Sequence, residues 1–231
     1  MSVIQEMTAK KLAGYMDHTL LKAYVKDEDF KKLCEEAARY QFAMVAINSF
    51  PVALCKEYLK GTGVHVGAAI SFPLGQTTIG CKVFETKQAI AEGADEIDYV
   101  VNLVQLKNGN LAYVEDEMRQ IVSICKEKDI ISKVIFENCY LTDDEKKQLC
   151  EIACKVKPTF IKTSTGFGTG GATLEDVKLM KAEVGDAVKV KAAGGIRDLD
   201  TAYAMIEAGA ERIGTSASVK IMEEFLKRTG K

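Results

Sequence analysis

Eight short apolar runs recur along the chain, separated by segments whose apolar residues return every three or four positions. The runs cover residues 15–20, 42–47, 64–70, 94–101, 130–136, a short stretch after Pro158, 187–192 and 210–214. Continuous apolar runs of this length are the mark of strands buried on both faces, as in a parallel sheet. The intervening segments read as helices. Phe30, Leu33, Cys34, Ala37 and Ala38 form one face behind a cap at Asp27, and Pro51 opens the next helix. Residues 77–92 form a helix stopped by Gly93, and Leu111, Val114, Met118, Ile121, Val122 and Cys125 share a face of another over 111–126. Thr142 with Glu145 makes a capping box, and Thr173 with Asp176 starts a helix to Val184. Leu199, Ala202, Tyr203 and Ile206 line the seventh helix, and residues 216–227 the last.

Strand and helix in strict alternation, without a linker or composition break, predict an α/β fold: a (β/α)8 TIM barrel. The expected organisation is a single domain over residues 1–231 with a short N-terminal helix. A doubly wound open sheet is the alternative, weakened because no early strand is followed by a G-x-G-x-x-G turn.

Of 231 residues, 47% are hydrophobic and 28% charged, with a formal net charge of −2, which suits one large core. Acidic and basic residues are interspersed, so neither nucleic acid nor a membrane surface is an expected partner. No window is apolar enough for a signal sequence or a span, and a cytoplasmic protein is expected. The seven cysteines contain no C-x-x-C pair and the chain has only His18 and His65, so free thiols and no metal are expected.

One strand carries a lysine. In Phe160-Ile161-Lys162-Thr163-Ser164-Thr165-Gly166-Phe167-Gly168-Thr169-Gly170-Gly171 the period-two alternation puts Lys162 on one face just before a glycine-rich loop. An ammonium there is costly to desolvate unless it is paired or loses its proton, and a deprotonated lysine is a nucleophile. The rival reading is a lysine whose head escapes to water at the strand end.

In a (β/α)8 barrel, chemistry gathers at the C-terminal ends of the strands. Ile97, Tyr99 and Val101 would face the helices, which turns Asp98 inward, and Val188 and Val190 do the same for Lys191. Lys189 shares that parity but sits lower, toward the N-terminal rim. Asp98 and Lys191 could form only a structural ion pair. Two lysines in one mouth would depress each other's proton affinity, however, and a carboxylate beside them can move protons to and from an adduct. Gly166 to Gly171, Gly194-Gly195 and Gly214-Thr215-Ser216 follow strands six, seven and eight. Each could simply turn a corner, but three such loops together suit an anion site.

With these residues placed, the sequence resembles the deoxyribose-phosphate aldolase family of class I aldolases over nearly its whole length. The matching blocks are Asp17-His18-Thr19-Leu20-Leu21-Lys22, Phe72-Pro73-Leu74-Gly75, Glu96-Ile97-Asp98, Phe160 to Gly166, Lys191-Ala192-Ala193-Gly194-Gly195-Ile196-Arg197 and Arg212-Ile213-Gly214-Thr215-Ser216. The resemblance implies an aldehyde-lyase that cleaves 2-deoxy-D-ribose 5-phosphate reversibly to acetaldehyde and D-glyceraldehyde 3-phosphate, with no cofactor. It implies that Lys162 forms the imine, Lys191 lowers its pKa and Asp98 relays protons. Gly166, Gly194, Gly195, Gly214 and Ser216 match the family's phosphate contacts. Asp17 and Lys133, inward by parity, look like partners that support the catalytic set. The expected partners are small phosphosugars and aldehydes, and the expected assembly a homo-oligomer, a dimer. Three positions depart from the family pattern: Ala46 in place of a cysteine, Phe167 in place of a lysine, and Ala217 in place of a second serine.

Overall fold

In the computed structural model, which describes residues 6–230, eight parallel strands close into a barrel in the order β1 to β8. Helix α1 (Ala9–Tyr15) leads directly into β1 (Met16–Thr19), then α2 (Asp27–Tyr40) and β2 (Met44–Asn48). Next come α3 (Val52–Tyr58), β3 (His65–Ile70), α4 (Ile79–Ala91) and β4 (Glu96–Val100). Two helices, α5 (Leu103–Lys107) and α6 (Leu111–Glu127), separate β4 from β5 (Ile131–Ile135). A 3-10 turn (Asn138–Tyr140) and α7 (Asp143–Val156) lead to β6 (Phe160–Lys162) and α8 (Leu174–Val184). The chain closes with β7 (Lys189–Ala193), α9 (Leu199–Glu207), β8 (Arg212–Thr215) and α10 (Ser218–Thr229). The (β/α)8 barrel expected from the alternation is therefore the observed fold.

Strand parity divides the interior into two compartments. Val45, Val66, Ile97, Tyr99, Val134, Ile161, Val190 and Ile213 face outward and join the buried apolar layer under the helices. Residues of the opposite parity, Asp17, Met44, Glu96, Asp98, Lys133, Lys162, Lys191 and Arg212, are all buried and fill the inside of the barrel. Met44 takes the space left by Gly67 across the register pair Ala46↔Gly67, where a Cβ would lie 2.4 Å from its Cε. The apolar layer holds the barrel closed, and the polar interior is left free for chemistry.

Several local boundaries differ from the sequence expectation, three of them for a physical reason visible in the structure. Asp27 is the first residue of α2 and not its cap: the cap is Lys26, whose N–H donates to the Asp29 carboxylate at 2.8 Å. A carboxylate three residues into a helix reaches back to the cap amide, so Asp29 does the work assigned to Asp27. Helix α5 was not expected, because five residues are too few to show a period; Asn102 caps it by accepting from the Gln105 N–H at 3.2 Å. Finally, α10 begins at Ser218, two residues late. The Thr215 hydroxyl accepts from the Ala217 N–H at 2.9 Å and Ser218 Oγ donates to the Thr215 carbonyl at 3.1 Å, a turn that leaves Ser216 in the loop.

Candidate active site

The register brings the sequence-predicted residues together at one level. Lys162 on β6 pairs with Lys191 on β7, and Asp98 on β4 pairs with Lys133 on β5. Lys162 Nζ and Lys191 Nζ both donate to Asp98 Oδ2, at 2.9 and 2.7 Å, while Lys133 Nζ donates to Oδ1 at 2.7 Å. Lys191 reaches Asp17 Oδ2 at 2.5 Å as well. Lys162 is thus no lysine extending to water: it is 4% exposed.

Electrostatics set Lys162 apart from Lys133. Burial, and then the Lys191 ammonium beside it, push the Lys162 pKa down to about 8, with Asp98 pulling the other way. Lys133 is the opposite case. Burial alone would lower its pKa, but Asp98, Glu96 and Asp17 hold its proton and the net displacement is upward. Burial likewise works against the Asp98 carboxylate, yet Lys133, Lys191 and Lys162 outweigh it and hold the group well below the usual carboxylate range.

Above these groups lies a cavity of about 560 Å³ at the C-terminal ends of the strands. Lys162 lines it together with Gly166, Gly194, Gly195, Gly214 and Ser216, the five positions matched to phosphate contacts. Asp98, Lys191, Asp17 and Lys133 lie under the floor, so Lys162 is the member of the set that meets a ligand first. Lys22 and Arg197 also line the cavity and add positive charge at its rim. Phe167, 53% exposed, stands edge-on to Phe72 with ring centroids 5.4 Å apart, giving one side an aromatic wall. Ala46 is buried inside the barrel, and Ala217 caps α10 without a side-chain hydrogen bond. Among the described residues no group of His, Cys, Asp and Glu is arranged to hold a metal ion.

Loop contacts shape the cavity wall. Thr163 Oγ1 donates to the Ala193 carbonyl and accepts from its N–H, both at 3.1 Å, which ties the ends of β6 and β7 together. The Ala172 N–H donates to Gly194 O at 3.0 Å, and a Cβ on Gly171 would lie 2.3 Å from that same oxygen. Only glycine permits this approach.

Three residues with a part in the site were not singled out from the sequence. Glu137, buried and at φ 57°, accepts from the Thr165 N–H at 3.0 Å and from the Thr165 hydroxyl, anchoring the first turn of the glycine-rich loop. Glu96 lies in the barrel below Asp98 and is ion-paired with Lys133 and, at 3.2 Å, with Arg212. Arg212 in turn reaches Asp17 at 2.6 Å. Parity could have revealed both, since Glu96 is two residues from Asp98 and Arg212 two from Gly214. Nothing in the spacing announces Glu137.

A deoxyribose-phosphate aldolase from Lactobacillus acidophilus is 58% identical over 216 residues, covering 94% of this chain and 91% of that protein. One from Bacteroides thetaiotaomicron is 55% identical over 223 residues, covering 96% and 94%. Among solved structures, the chain is similar to a tetrameric deoxyribose phosphate aldolase from Aeropyrum pernix, with 30% identity, a TM-score of 0.88 and coverage of 94% and 92%. A family model described as DeoC/LacD family aldolase matches residues 11–223, and with relatives this similar over almost their full length, the chain belongs to that family of aldolases.

Proposed function

We propose that this chain is a Schiff-base aldolase that cleaves 2-deoxy-D-ribose 5-phosphate reversibly to acetaldehyde and D-glyceraldehyde 3-phosphate. The observation that carries the reading is Lys162: an amine with its pKa lowered to about 8, on the floor of a glycine-lined cavity, beside a second lysine on the same carboxylate oxygen. The names of the most similar relatives supply the substrate.

The chemistry follows from the positions. The free amine of Lys162 attacks the C1 aldehyde of the open-chain sugar, and loss of water gives a protonated imine. A base removes the proton of the C3 hydroxyl, the C2–C3 bond breaks, and its electron pair moves into the imine to give an enamine. D-Glyceraldehyde 3-phosphate departs; protonation at C2 and hydrolysis then release acetaldehyde and restore the amine. Asp98, on the nucleophile at 2.9 Å, is the group we assign to moving these protons, through a water where its burial keeps it from the substrate. Lys191 keeps Lys162 from holding its proton. Asp17 and Lys133 hold Lys191 and Asp98 in place. Gly166, Gly194, Gly195, Gly214 and Ser216 line the part of the cavity we assign to the phosphate, where backbone N–H groups and Arg197 and Lys22 suit an anion.

We infer a cytoplasmic setting, supported by seven free cysteines and by the absence, among the described residues, of a helix long and apolar enough to cross a membrane. We infer a homo-oligomer from the tetrameric relative.

The test is reductive trapping. The protein is incubated with acetaldehyde, reduced with borohydride, and the added mass located by peptide mapping, with dihydroxyacetone as the competing donor. An ethyl group on Lys162 is expected. An unmodified Lys162 in folded protein would overturn the nucleophile assignment, and preferential trapping of dihydroxyacetone would overturn the donor.

A further inference from the structure

The charged groups inside the barrel form a closed ring. Glu96 pairs with Lys133, and Lys133 with Asp98 at 2.7 Å. Asp98 pairs with Lys191 at 2.7 Å, Lys191 with Asp17 at 2.5 Å, Asp17 with Arg212 at 2.6 Å, and Arg212 with Glu96 at 3.2 Å. Carboxylate and cation alternate all the way round, and every member is at least nine-tenths buried. The ring is therefore neutral by itself. Lys162 hangs from it as a further cation through Asp98.

A charge surplus inside a protein is resolved where a proton is most easily lost. Arg212 keeps its proton under all ordinary conditions. Lys133 and Lys191 each bridge two carboxylates, whereas Lys162 has Asp98 alone. The surplus therefore falls on Lys162.

We propose that Glu96 and Arg212, one layer below the site, are positioning residues for Lys162: Glu96 holds Lys133 on Asp98, Arg212 holds Asp17 on Lys191, and their opposite charges balance at Lys162, so that losing either one moves its proton affinity. This rests on the reading of Lys162 as the imine-forming residue. Neither residue touches the cavity, so each acts through a neighbour, Glu96 through Lys133 and Arg212 through Asp17 and Lys191. Other charges face this lower layer. His65 Nδ1 lies 2.9 Å from Glu96 Oε1 at the N-terminal mouth, with Asp95 near it and paired to Lys56, and Lys189 and Arg212 both stand against the Phe160 ring. His65 and Lys189 are solvent-accessible, so their charges are screened more than those of the ring.

The experiment is the pH dependence of Lys162 trapping by acetaldehyde and borohydride, read as the position of the acid limb. Glu96→Gln removes a negative charge; Lys133 keeps Asp98 and its proton, and the limb moves down by about one pH unit. Arg212→Gln removes a positive charge and the limb moves up by about the same amount. The double variant is neutral again and its limb returns to the wild-type position. Loss of packing alone would slow both single variants without giving opposite displacements. Limbs that coincide, or that move in the same direction in folded variants, overturn the proposal. If one single variant does not fold, the other carries the test: a limb displaced in its stated direction by more than about half a unit, and returned in the double variant, supports the proposal, and an unmoved limb overturns it. Wild-type protein that traps nothing on Lys162 removes the nucleophile assignment and the ring's role together; trapping with immobile limbs removes only the ring's role.

Discussion

Lys162 and Lys191 share one acceptor atom, Asp98 Oδ2, so their amines are held against each other inside a barrel from which both are nearly excluded from water. Lys191 has a second carboxylate, Asp17, and Lys162 does not. Removing Lys191 therefore removes a positive neighbour and exposes Lys162 to a net negative interior. Lys191→Leu is expected to move the acid limb of kcat/KM upward from about pH 8 by at least about one unit, with a loss at pH 7 of about tenfold or more. A pH–rate profile of the folded variant that keeps its limb near 8 would show that Lys191 acts in some other way.

The same displacement has a consequence for stability. The Lys162 pKa is near 8 in the fold and near 10.5 in the unfolded chain, so between these values the unfolded chain binds more protons and stability rises with pH. Below pH 8 the penalty is present in full, on the order of 3 kcal/mol. Lys162→Met should abolish turnover and trapping while making the barrel more stable at pH 7, with the gain shrinking as pH approaches 10. Urea unfolding of both proteins at pH 7 and pH 9.5 measures it. A variant less stable than wild type at both values would mean that Lys162 is held as a stabilising ion pair.

What the sequence made legible depended on period. Strand parity alone turned Asp98, Lys162, Lys191, Asp17 and Lys133 inward, and all five meet inside the barrel. The same parity turns Glu96 and Arg212 inward, but both lie one layer below the C-terminal strand ends, where catalytic groups collect. The glycines were legible as runs following strands, and their common cavity follows from the barrel's closure. Other features leave no periodic trace. Glu137 grips Thr165 across 28 positions from an irregular turn, and the Lys82–Glu117 pair joins two different helices. Contacts of this kind are fixed by tertiary packing and not by local pattern.

Glu137 makes a prediction about binding more than chemistry. Its carboxylate holds the backbone and hydroxyl of Thr165, next to Gly166 and Phe167 on the cavity wall, but does not contact the lysines. Glu137→Ala frees that turn. KM for the phosphorylated substrate should rise about tenfold, the order of one lost charged hydrogen bond, with kcat changed much less. Steady-state kinetics with 2-deoxyribose lacking the phosphate gives the contrast, since its KM should move little. An equal rise for both sugars would place the effect of Glu137 outside phosphate binding.

Beneath the helices, a second buried ion pair supports the end of β4. Lys82 of α4 and Glu117 of α6 are fully buried 2.6 Å apart; Lys82 donates to the Val100 carbonyl at 2.7 Å, and Glu117 accepts from the Asn102 N–H at 3.0 Å. Burial acts against both charges, lowering the pKa of Lys82 and raising that of Glu117. The pair contributes little net stability, but each member neutralises a backbone group and the other's charge. Lys82→Met should therefore cost about 3–5 kcal/mol by stranding Glu117, and Lys82→Met with Glu117→Leu should recover much of that loss. Thermal denaturation of the two single variants and the double variant closes the cycle. Additive losses would show that the two residues stabilise the barrel separately. Recovery would show that their charges serve mainly each other, with the end of the Asp98 strand held well enough by the apolar layer around Tyr99 and Val101.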